Sequence, residues 1–360
     1  MGCFMKKIIF LYNDYLEITS RIEACPGELE EVFSAVEAIK DGLEDKGFDV
    51  LPVSVTTLSM ELLALLKKNR HCTVFNLCES LEGDSEKEKI LPEFMEKCGI
   101  VYTGSGPFAL ETCLDKFAVK RLFSKNGIPT PGASLIKTAI KNGHFKNIRF
   151  PLILKPVHED ASIGIAPASV VRDEKEAIER AKYLIDLLDQ PALAEEFIEG
   201  REVAVSVWGN NPPTVVEASE IDFSDLPKDL PNIVTYFSKW NKESPEYIGT
   251  KPICPAPLEP KLRERVAEIA VKAFKACGCR DYARVDIRIS KDKQPYVIDV
   301  NPNPDLSPDA GFFRAVSSKG FTYPDMVEKI VEFAEERSAR EKDARNASSA
   351  RANSKRSAYL

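Results

Sequence analysis

Histidine, long apolar runs and positive charge are all scarce in this sequence, and each absence excludes a class of protein. There are only three histidines, and the nine cysteines include no pair with zinc-finger spacing, so we expect no structural zinc site. No apolar run approaches the roughly 18 residues that span a bilayer. The net charge of −7 is unlike that of a general nucleic-acid binder, which is more often basic. We therefore expect neither a membrane nor a nucleic acid as partner.

The cysteines indicate a reducing compartment. An odd number scattered along a long chain is typical of reduced, buried thiols, and we predict a cytoplasmic protein. Cys277 and Cys279 flank one glycine and could form a redox pair, although packing at a helix end is the simpler interpretation. The apolar segment 6–12 begins like a signal peptide but stops at Asn13 and Asp14, so we interpret it as a first buried strand.

The alternation of apolar patterns predicts an α/β protein with three domains. Strand-like and helix-like segments alternate over residues 1–110, which indicates a parallel sheet with crossover helices. A small α+β domain follows over 111–198, and a third domain of strands and helices occupies 199–337. Residues 338–360 contain almost no bulky apolar side chains, and we predict a disordered tail there.

The segment "RVDIRISKDKQPYVIDVN" carries the most informative pattern. We place a turn at residues 292–293, two polar positions between two alternating apolar runs. Counting outward from this turn, Asp286 lies opposite Asp299, and Arg284 lies opposite Asn301. Side chains alternate along a strand, so these four residues share one face of a hairpin. The other face is expected to be apolar and to pack on the core, with Val285, Ile287 and Ile289 facing Val300, Ile298 and Tyr296.

Two opposed carboxylates repel each other unless a cation lies between them. Oxygen ligands in an incomplete protein cage suit Mg²⁺, which commonly shares its coordination with phosphates. Arg284, in the same row, could bind a phosphate oxygen. The alternative is a charged, solvent-facing surface with cross-strand salt bridges.

A phosphate site would have to be assembled from separate residues, because the sequence has no GxxxxGK[ST] motif and no GxGxxG after the first strand. Lys155 ends the apolar strand "PLILKP", where a lysine is usually held by an anion. The amides of the following loop, residues 157–165, could fold over phosphates, and we assign Ser162 in this loop to the nucleotide. Lys116 is a second candidate, although a lone lysine on a helix surface is normally only solvated.

The segment "LAEEFIEGREVAVSV" joins the second and third domains. It is either a charged linker or an inter-domain hinge. In a hinge, the backbone could bind an adenine edge, and a carboxylate such as Glu202 could hold a ribose.

In this order, the motifs resemble those of the ATP-grasp superfamily, most closely its D-alanine–D-alanine ligase branch. The matching segments are "YTGSG", "LDK", "GIPTPG", "LKP", "EEFIEGRE", "CPAPL", "ARVDIR" and "VIDVNPNPDLSP". The resemblance extends from about residue 6 to 335. It implies a three-domain ATP-grasp fold with an N-terminal α/β domain, a central lid domain and a C-terminal catalytic domain.

The resemblance also implies how ATP is bound. Lys116 and Lys155 match the lysines that contact its phosphates. Glu195 matches the acid near the adenine amino group, with the backbone of Glu196 and Ile198 at the adenine edge. Glu202 matches the acid that binds the ribose.

The remaining matches concern the reaction itself. Lys239 matches a lysine on a mobile loop that reaches the transferred phosphate, and Arg284 matches the arginine that steadies the phosphorylated intermediate. The family's ligands for Mg²⁺ (or Mn²⁺) fall on Asp286, Asp299 and Asn301. Asp299 is a departure, because the family usually has the longer Glu there.

The substrate-binding side departs further from the family. "LYNDYLEITS" and "NLCESLEGDSEKE" replace the family's substrate-binding signatures, and Ala161 and Trp240 replace the serine and tyrosine of its lid. We predict an ATP-dependent carboxylate–amine ligase that acts through an acyl phosphate on amino acids or short peptides. Its substrate is either D-alanine or another amino acid or peptide. The alternatives are an ATP-binding protein without ligase chemistry and an interaction role for the tail. A homodimer is compatible with the resemblance.

Overall fold

The computed structural model describes residues 5–13, 26–137 and 145–357, and three sheets organise this part of the chain. The first sheet is parallel, and the other two are antiparallel. Within these ranges, no helix combines the length and the apolar character needed to cross a membrane.

The N-terminal sheet confirms the predicted parallel arrangement. Its strands lie in the order β2-β1-β3 and are β1 (Lys7–Asn13), β2 (Asp49–Val55) and β3 (Thr73–Asn76). The crossover helices are α1 (Pro26–Asp45), α2 (Met60–Lys68) and α3 (Ile90–Cys98). β1 is buried on both faces, which explains why its sequence is almost continuously apolar.

Two short helices lead into the central domain, α4 (Pro107–Leu114) and α5 (Lys116–Lys125). Apolar periodicity alone predicts one helix over 113–126. The break lies at Asp115, whose Oδ1 accepts the N–H groups of Phe117 and Ala118 and so caps α5.

The central sheet has one apolar face and one polar face. Its strands lie in the order β4-β7-β5-β6 and are β4 (Ala133–Ile136), β5 (Leu152–Pro156), β6 (Val170–Val171) and β7 (Ala192–Glu196). Leu152, Leu154 and Ala194 pack with helix α6 (Glu174–Leu188) in one core. Lys155 and Glu195 belong to the opposite face, because side chains alternate along each strand.

The C-terminal sheet is the largest, in the order β10-β9-β8-β11-β12. The strands are β8 (Gly200–Trp208), β9 (Thr214–Asp222), β10 (Lys251–Ile253), β11 (Tyr282–Ser290) and β12 (Pro295–Asn301). The helices are α7 (Tyr236–Trp240), α8 (Pro245–Ile248), α9 (Pro260–Ala276), α10 (Gly311–Ser317) and α11 (Tyr323–Ser357). Val203, Val205, Val285 and Ile287 are fully buried in one core with α9. Cys277 and Cys279 are free thiols in that core, which favours packing over a redox pair.

The pairing of β11 with β12 confirms the functional half of the predicted hairpin. Asp286 pairs with Asp299, and Arg284 pairs with Asn301. The four side chains therefore share one face, and the opposite face carries the core residues. A shift of one residue in the strand pairing would place apolar side chains on the polar face, and no such shift occurs at these four residues.

The half of the hairpin nearest the turn differs from the prediction. Ile287 pairs with Val297 rather than Ile298, because the register shifts by one residue after Asp286. Val297 is therefore buried in the core, whereas Ile298 and Tyr296 are only half-buried. The turn also differs from the predicted pair of residues, since it is longer and contains Lys293 in the left-handed conformation, with φ of 58°.

The predicted disordered tail is wrong over residues 338–357, which continue α11. The segment is rich in alanine and arginine, which are good helix formers, and extending an existing helix needs no new nucleation. The scarcity of bulky apolar side chains in this segment agrees with the exposure of residues 339–347 to solvent. Positions 358–360 lie outside the described residues.

Candidate active site

The polar face of the C-terminal sheet forms the floor of the candidate site. Arg284 and Asp286 alternate along β11, next to Asn301 and Asp299 on β12. The guanidinium of Arg284 binds Asp286 through two hydrogen bonds of 2.8 and 2.9 Å. The attraction of Asp286 raises the pKa of Arg284 well above its usual range. The site therefore keeps a permanent positive charge beside the predicted metal ligands.

Lys116 brings a second cation to this row. Its Nζ lies 2.9 Å from Asp160 Oδ1 and 3.7 Å from Asp299 Oδ2. The residue is buried, in contrast to the solvated surface lysine that was the alternative interpretation. Burial lowers the pKa of Lys116, but the attraction of Asp160 and Asp299 outweighs it and raises the pKa overall. Lys116 is therefore charged at the active-site face.

Lys155 and a lysine that the sequence patterns did not indicate share one carboxylate. Lys155 Nζ lies 2.9 Å from Glu195 Oε2, and Lys120 Nζ lies 3.0 Å from the same oxygen. Lys120 also donates to Thr130 Oγ1 at 3.1 Å. Burial lowers the pKa of Lys120 to about 8, against the attraction of Glu195. A usable signal was present, since Lys120 follows Lys116 by four residues and shares its helix face.

Glu195 was expected near an adenine amino group, and the structure places it between these two lysines. Its side chain is only 2% exposed. Burial raises the pKa of Glu195, but Lys120 and Lys155 outweigh burial and lower it. Glu195 is therefore an anion that holds two cations at the ligand-facing side of the lid sheet.

The segment after β7 meets the C-terminal sheet at Arg288. The guanidinium Nε donates to the carbonyl of Ile198 at 2.6 Å, and Nη1 donates to Glu202 Oε2 at 2.6 Å. Burial raises the pKa of Glu202, and the attraction of Arg288 opposes that rise. The N–H of Glu196 donates to the carbonyl of Gly132 at 2.8 Å. These bonds hold the segment after β7 against β11 and against the loop that contains Gly132.

A cavity of about 320 Å³ opens beside this hinge. Its lining includes Phe197, Gly200, Asn232 and Arg288. Among these lining residues, Arg288 donates a hydrogen bond to the carboxylate of Glu202, the residue assigned to a ribose.

The loop after β5, which contains Ala161 and Ile165, meets helix α7. The N–H of Tyr236 donates to the carbonyl of Ile165 at 3.0 Å, and the indole of Trp240 donates to the carbonyl of Ala161 at 3.4 Å. Ala161 and Trp240, which replace the serine and tyrosine of the family's lid, therefore remain in contact. The contact joins the indole N–H to a backbone carbonyl rather than two side chains. Ser162 lies in the same loop, with φ of 61°.

Lys239 lies in α7 and faces the row from above. Burial lowers the pKa of Lys239, and the charge of Arg284 lowers it further, whereas Asp286, Asp160 and Glu202 oppose this shift. These interactions place Lys239 in the same electrostatic neighbourhood as the predicted metal ligands and the ribose acid.

The N-terminal domain contributes an acidic wall that the sequence patterns did not indicate. Glu79 and Glu88 follow β3, and the backbone N–H of Glu79 is held by Asn13 Oδ1 at 2.7 Å. The side chain of Glu79 reaches solvent at the mouth of the cleft, but the surrounding protein removes much of its hydration. This loss of hydration, together with the charges of Asp305 and Asp160, raises the pKa of Glu79 to about 8. Burial and the nearby Glu79 raise the pKa of Glu88 well above its usual range. A positively charged ligand on this side of the cleft would favour the ionised form of both carboxyls and so lower these pKa values.

The oxygen donors fit a magnesium ion that takes much of its coordination from phosphates. Asp286 and Asp299 are directly paired across two strands, and Asn301 lies one pair further along. Arg284 and Lys116 balance the two carboxylates. Among the described residues, no group of three or more His, Cys, Asp or Glu forms a metal cage by itself. An open set of this kind is typical of Mg²⁺ bound together with a nucleotide.

Two solved bacterial ligases share this fold. The D-alanine–D-alanine ligase of Bacillus anthracis complexed with ATP has a TM-score of 0.70 at 20% identity, over 93% of this chain and 99% of its own. VanG D-Ala:D-Ser ligase of Enterococcus faecalis has a TM-score of 0.71 at 21% identity, over 92% of this chain and 100% of its own. The class is therefore the α/β ATP-grasp fold.

Sequence relatives then define the family. Residues 122–332 match the family described as D-ala D-ala ligase C-terminus. The D-alanine–D-alanine ligase of Desulforamulus reducens is 30% identical over 318 residues, 85% of this chain and 95% of its own. The uncharacterized protein y4sG of Sinorhizobium fredii is 32% identical over 264 residues, 73% of this chain and 75% of its own. The chain belongs to this family and is an ATP-dependent ligase.

Proposed function

We propose that this ligase joins a carboxylate to an amine through an acyl phosphate, with an amino acid or short peptide as substrate and with ATP and Mg²⁺ (or Mn²⁺) as cofactors. The observation that carries the proposal is the polar row on β11 and β12. The buried Lys116 pairs with Asp299 of this row, and the charge of Lys155 also acts on Asp299. A protein that only bound nucleotide would need no such set at the transferred phosphate.

The chain's own residues would act mainly by positioning and by balancing charge, as is general in phosphoryl transfer. Lys116 and Lys155 would bind the phosphates, and Lys239 would reach the group being transferred. Asp286 and Asp299, together with Asn301, would hold Mg²⁺, which supplies charge neutralisation when bound. Arg284 would stabilise the acyl phosphate while the amine attacks its carbonyl carbon and phosphate leaves.

The acidic wall supports a substrate that carries an ammonium group. Glu79 lies near Asp160 and Asp305, and Glu88 lies near Glu79 and accepts the side-chain amide of Asn303. Amino acids and short peptides carry an ammonium that would pair with these carboxylates and a carboxylate that the nearby cations would bind. The two named relatives differ in the amino acid printed in their names, D-alanine or D-serine, so the amino acid is the variable part of the proposal.

The test is phosphate release from ATP and Mg²⁺ with the twenty amino acids and their D-forms, singly and in pairs. The variants D286N and K155A should each lose about 100-fold or more of this activity, because they remove a metal ligand and a phosphate-binding cation. The matched controls are D292N, which changes an exposed aspartate on the same hairpin, and K125A, which changes an exposed lysine at the end of α5.

Release with D-alanine alone would give the substrate of the named relatives, and release only with another amino acid or pair would give an exchanged substrate. Unchanged turnover in D286N or K155A would contradict the site. Binding of intact ATP without phosphate release for any amino acid or dipeptide would favour an ATP-binding protein without ligase chemistry.

A further inference from the structure

Arg288 is a buried cation with no role in the family resemblance described above. It lies on β11, two positions after Asp286 and four after Arg284, so the three side chains share one face of the sheet. Its side chain is only 4% exposed. A buried arginine is costly unless its N–H groups find acceptors, so its partners indicate what it holds in place.

The guanidinium of Arg288 joins three separate segments. Nε donates to the carbonyl of Ile198 at 2.6 Å, and Nη2 donates to the carbonyl of Gly200 at 3.4 Å, so both ends of the hinge are held. Nη1 donates to Glu202 Oε2 at 2.6 Å and to the carbonyl of Asn232 at 3.0 Å. Asn232 belongs to the segment that leads into α7, which carries Lys239.

The planar face of the guanidinium is used as well. It stacks on the ring of Phe197 with its central carbon 4.8 Å from the ring centroid. A lysine at this position would keep the charge, but it would lose the rigid fork and the stacked plane. An apolar residue would leave the carboxylate of Glu202 buried without a cation.

The partners of Arg288 also define where a nucleotide sugar would lie. Glu202 pairs directly with Arg288 across β8 and β11, one step along the sheet from Ala204 and Asp286. A nucleotide laid along β11 with its phosphates at Asp286 would bring its sugar to Glu202. One carboxylate oxygen of Glu202 is bound by Arg288, which would fix the direction in which the carboxylate meets a sugar hydroxyl.

We propose that Arg288 is a positioning residue that orients Glu202 toward the ribose, and that this contact makes the site select ATP over nucleotides that lack a ribose hydroxyl. The inference rests on the proposed function, because it assumes that the cleft binds ATP with its phosphates at the metal ligands. The inference adds Arg288 to the residues assigned to the nucleotide, and it adds a selectivity for the ribose hydroxyls.

The test is equilibrium binding of Mg-ATP, Mg-2′-deoxyATP and Mg-3′-deoxyATP by calorimetry, without amino acid. The wild-type protein should bind at least one of the deoxynucleotides about tenfold more weakly, as expected for one lost hydrogen bond to a charged group. R288M should bind ATP more weakly and lose this discrimination, and R288K should recover part of it.

R201M is the matched control. Arg201 lies on β8 beside Glu202, binds a glutamate and a backbone carbonyl as Arg288 does, and projects from the other face of the sheet. It should keep the wild-type ratio of affinities. The double variant R288M/E202Q removes both charges together, so it keeps the test available if R288M does not fold. It should bind ATP and the deoxynucleotides equally.

A wild-type ratio retained in R288M, or in the double variant, would overturn the assignment of Arg288. Equal binding of all three nucleotides by the wild-type protein would overturn it as well. Ligase activity does not enter this measurement. Intact discrimination combined with no phosphate release for any substrate would therefore overturn the proposed ligase chemistry alone.

Discussion

Among single residues, Lys120 shows how a buried charge can serve a neighbour. It shares the Glu195 carboxylate with Lys155, the lysine assigned to the phosphates. Two cations on one anion leave a surplus of positive charge at that end of the cleft. An anionic ligand would balance this surplus, so the triad is electrostatically matched to bound ATP.

We expect K120M to raise the KM for ATP roughly fivefold near pH 7, because one positive charge beside the phosphates is lost. Burial lowers the pKa of Lys120 from 10.5 to about 8. The wild-type KM should therefore rise as the pH passes through about 8, and this step should be absent in K120M. Steady-state kinetics between pH 7 and 9.5 measures both effects.

The exposed Lys125 at the end of the same helix provides the control, and K125M should behave like the wild-type protein.

The same pKa shift has a consequence for stability. Between pH 8 and 10.5 the unfolded state binds more protons at Lys120 than the folded state does, so this group makes the free energy of unfolding rise with pH in that window. A rise of the KM for ATP through about pH 8 in K120M that matched the wild-type rise would contradict the role of Lys120.

Among the elements, the break between α4 and α5 positions Lys116, the first of the lysines proposed to bind phosphates. Asp115 has extended backbone angles and caps α5, and Lys116 is the first residue of that helix. The cap fixes where α5 begins and so fixes the direction in which Lys116 leaves the backbone. A continuous helix through this point would rotate that lysine away from its present position.

The variant D115A should lower the free energy of unfolding by about 1 kcal/mol, the usual contribution of an N-cap side chain. Asp115 Oδ1 accepts two backbone N–H groups, from Phe117 at 3.0 Å and from Ala118 at 2.9 Å, and alanine accepts none. D115N keeps the acceptor and should stay close to the wild-type stability. Denaturant titration compares the three proteins, and equal losses in D115A and D115N would contradict the capping role.

At the scale of the whole molecule, Asp281 ties the N-terminal domain, the C-terminal domain and the last helix together. It is fully buried, and its carboxylate accepts the N–H of Gly104 at 2.9 Å and the side-chain amide of Asn210 at 2.8 Å. Arg337 of α11 donates to both of its oxygens, at 3.1 and 2.9 Å. This junction fixes the backbone at Gly104 and helix α11 against the start of β11.

We expect R337M to lower the free energy of unfolding by about 3–5 kcal/mol, because it leaves the buried carboxylate of Asp281 without its cation. R340M changes an exposed arginine of the same helix, paired with Glu336, and should cost less than about 1 kcal/mol. Thermal unfolding of the two variants measures the difference. Similar melting temperatures would mean that Asp281 does not depend on Arg337.

Local pattern was sufficient for part of the site. The alternation around Arg284 and Asp286 predicted one polar and one apolar face, because successive side chains of a strand point to opposite sides. The same pattern did not predict the one-residue register shift that buries Val297 or the left-handed conformation of Lys293 in the turn. The composition of the tail indicated exposure but not that the segment would continue α11. The domain boundaries, and the role of each site residue, stay predictions.

The sequence by itself determined the elements, the polar row and the family, since these depend on short-range periodicity and on contiguous motifs. Only the tertiary structure decided which charges meet. Lys120 meets Glu195, and Arg288 meets Glu202, across long stretches of chain. No local pattern encodes such pairs, because the sheets and the hinge bring the partners together, and burial then makes each unpaired charge costly enough to require its partner.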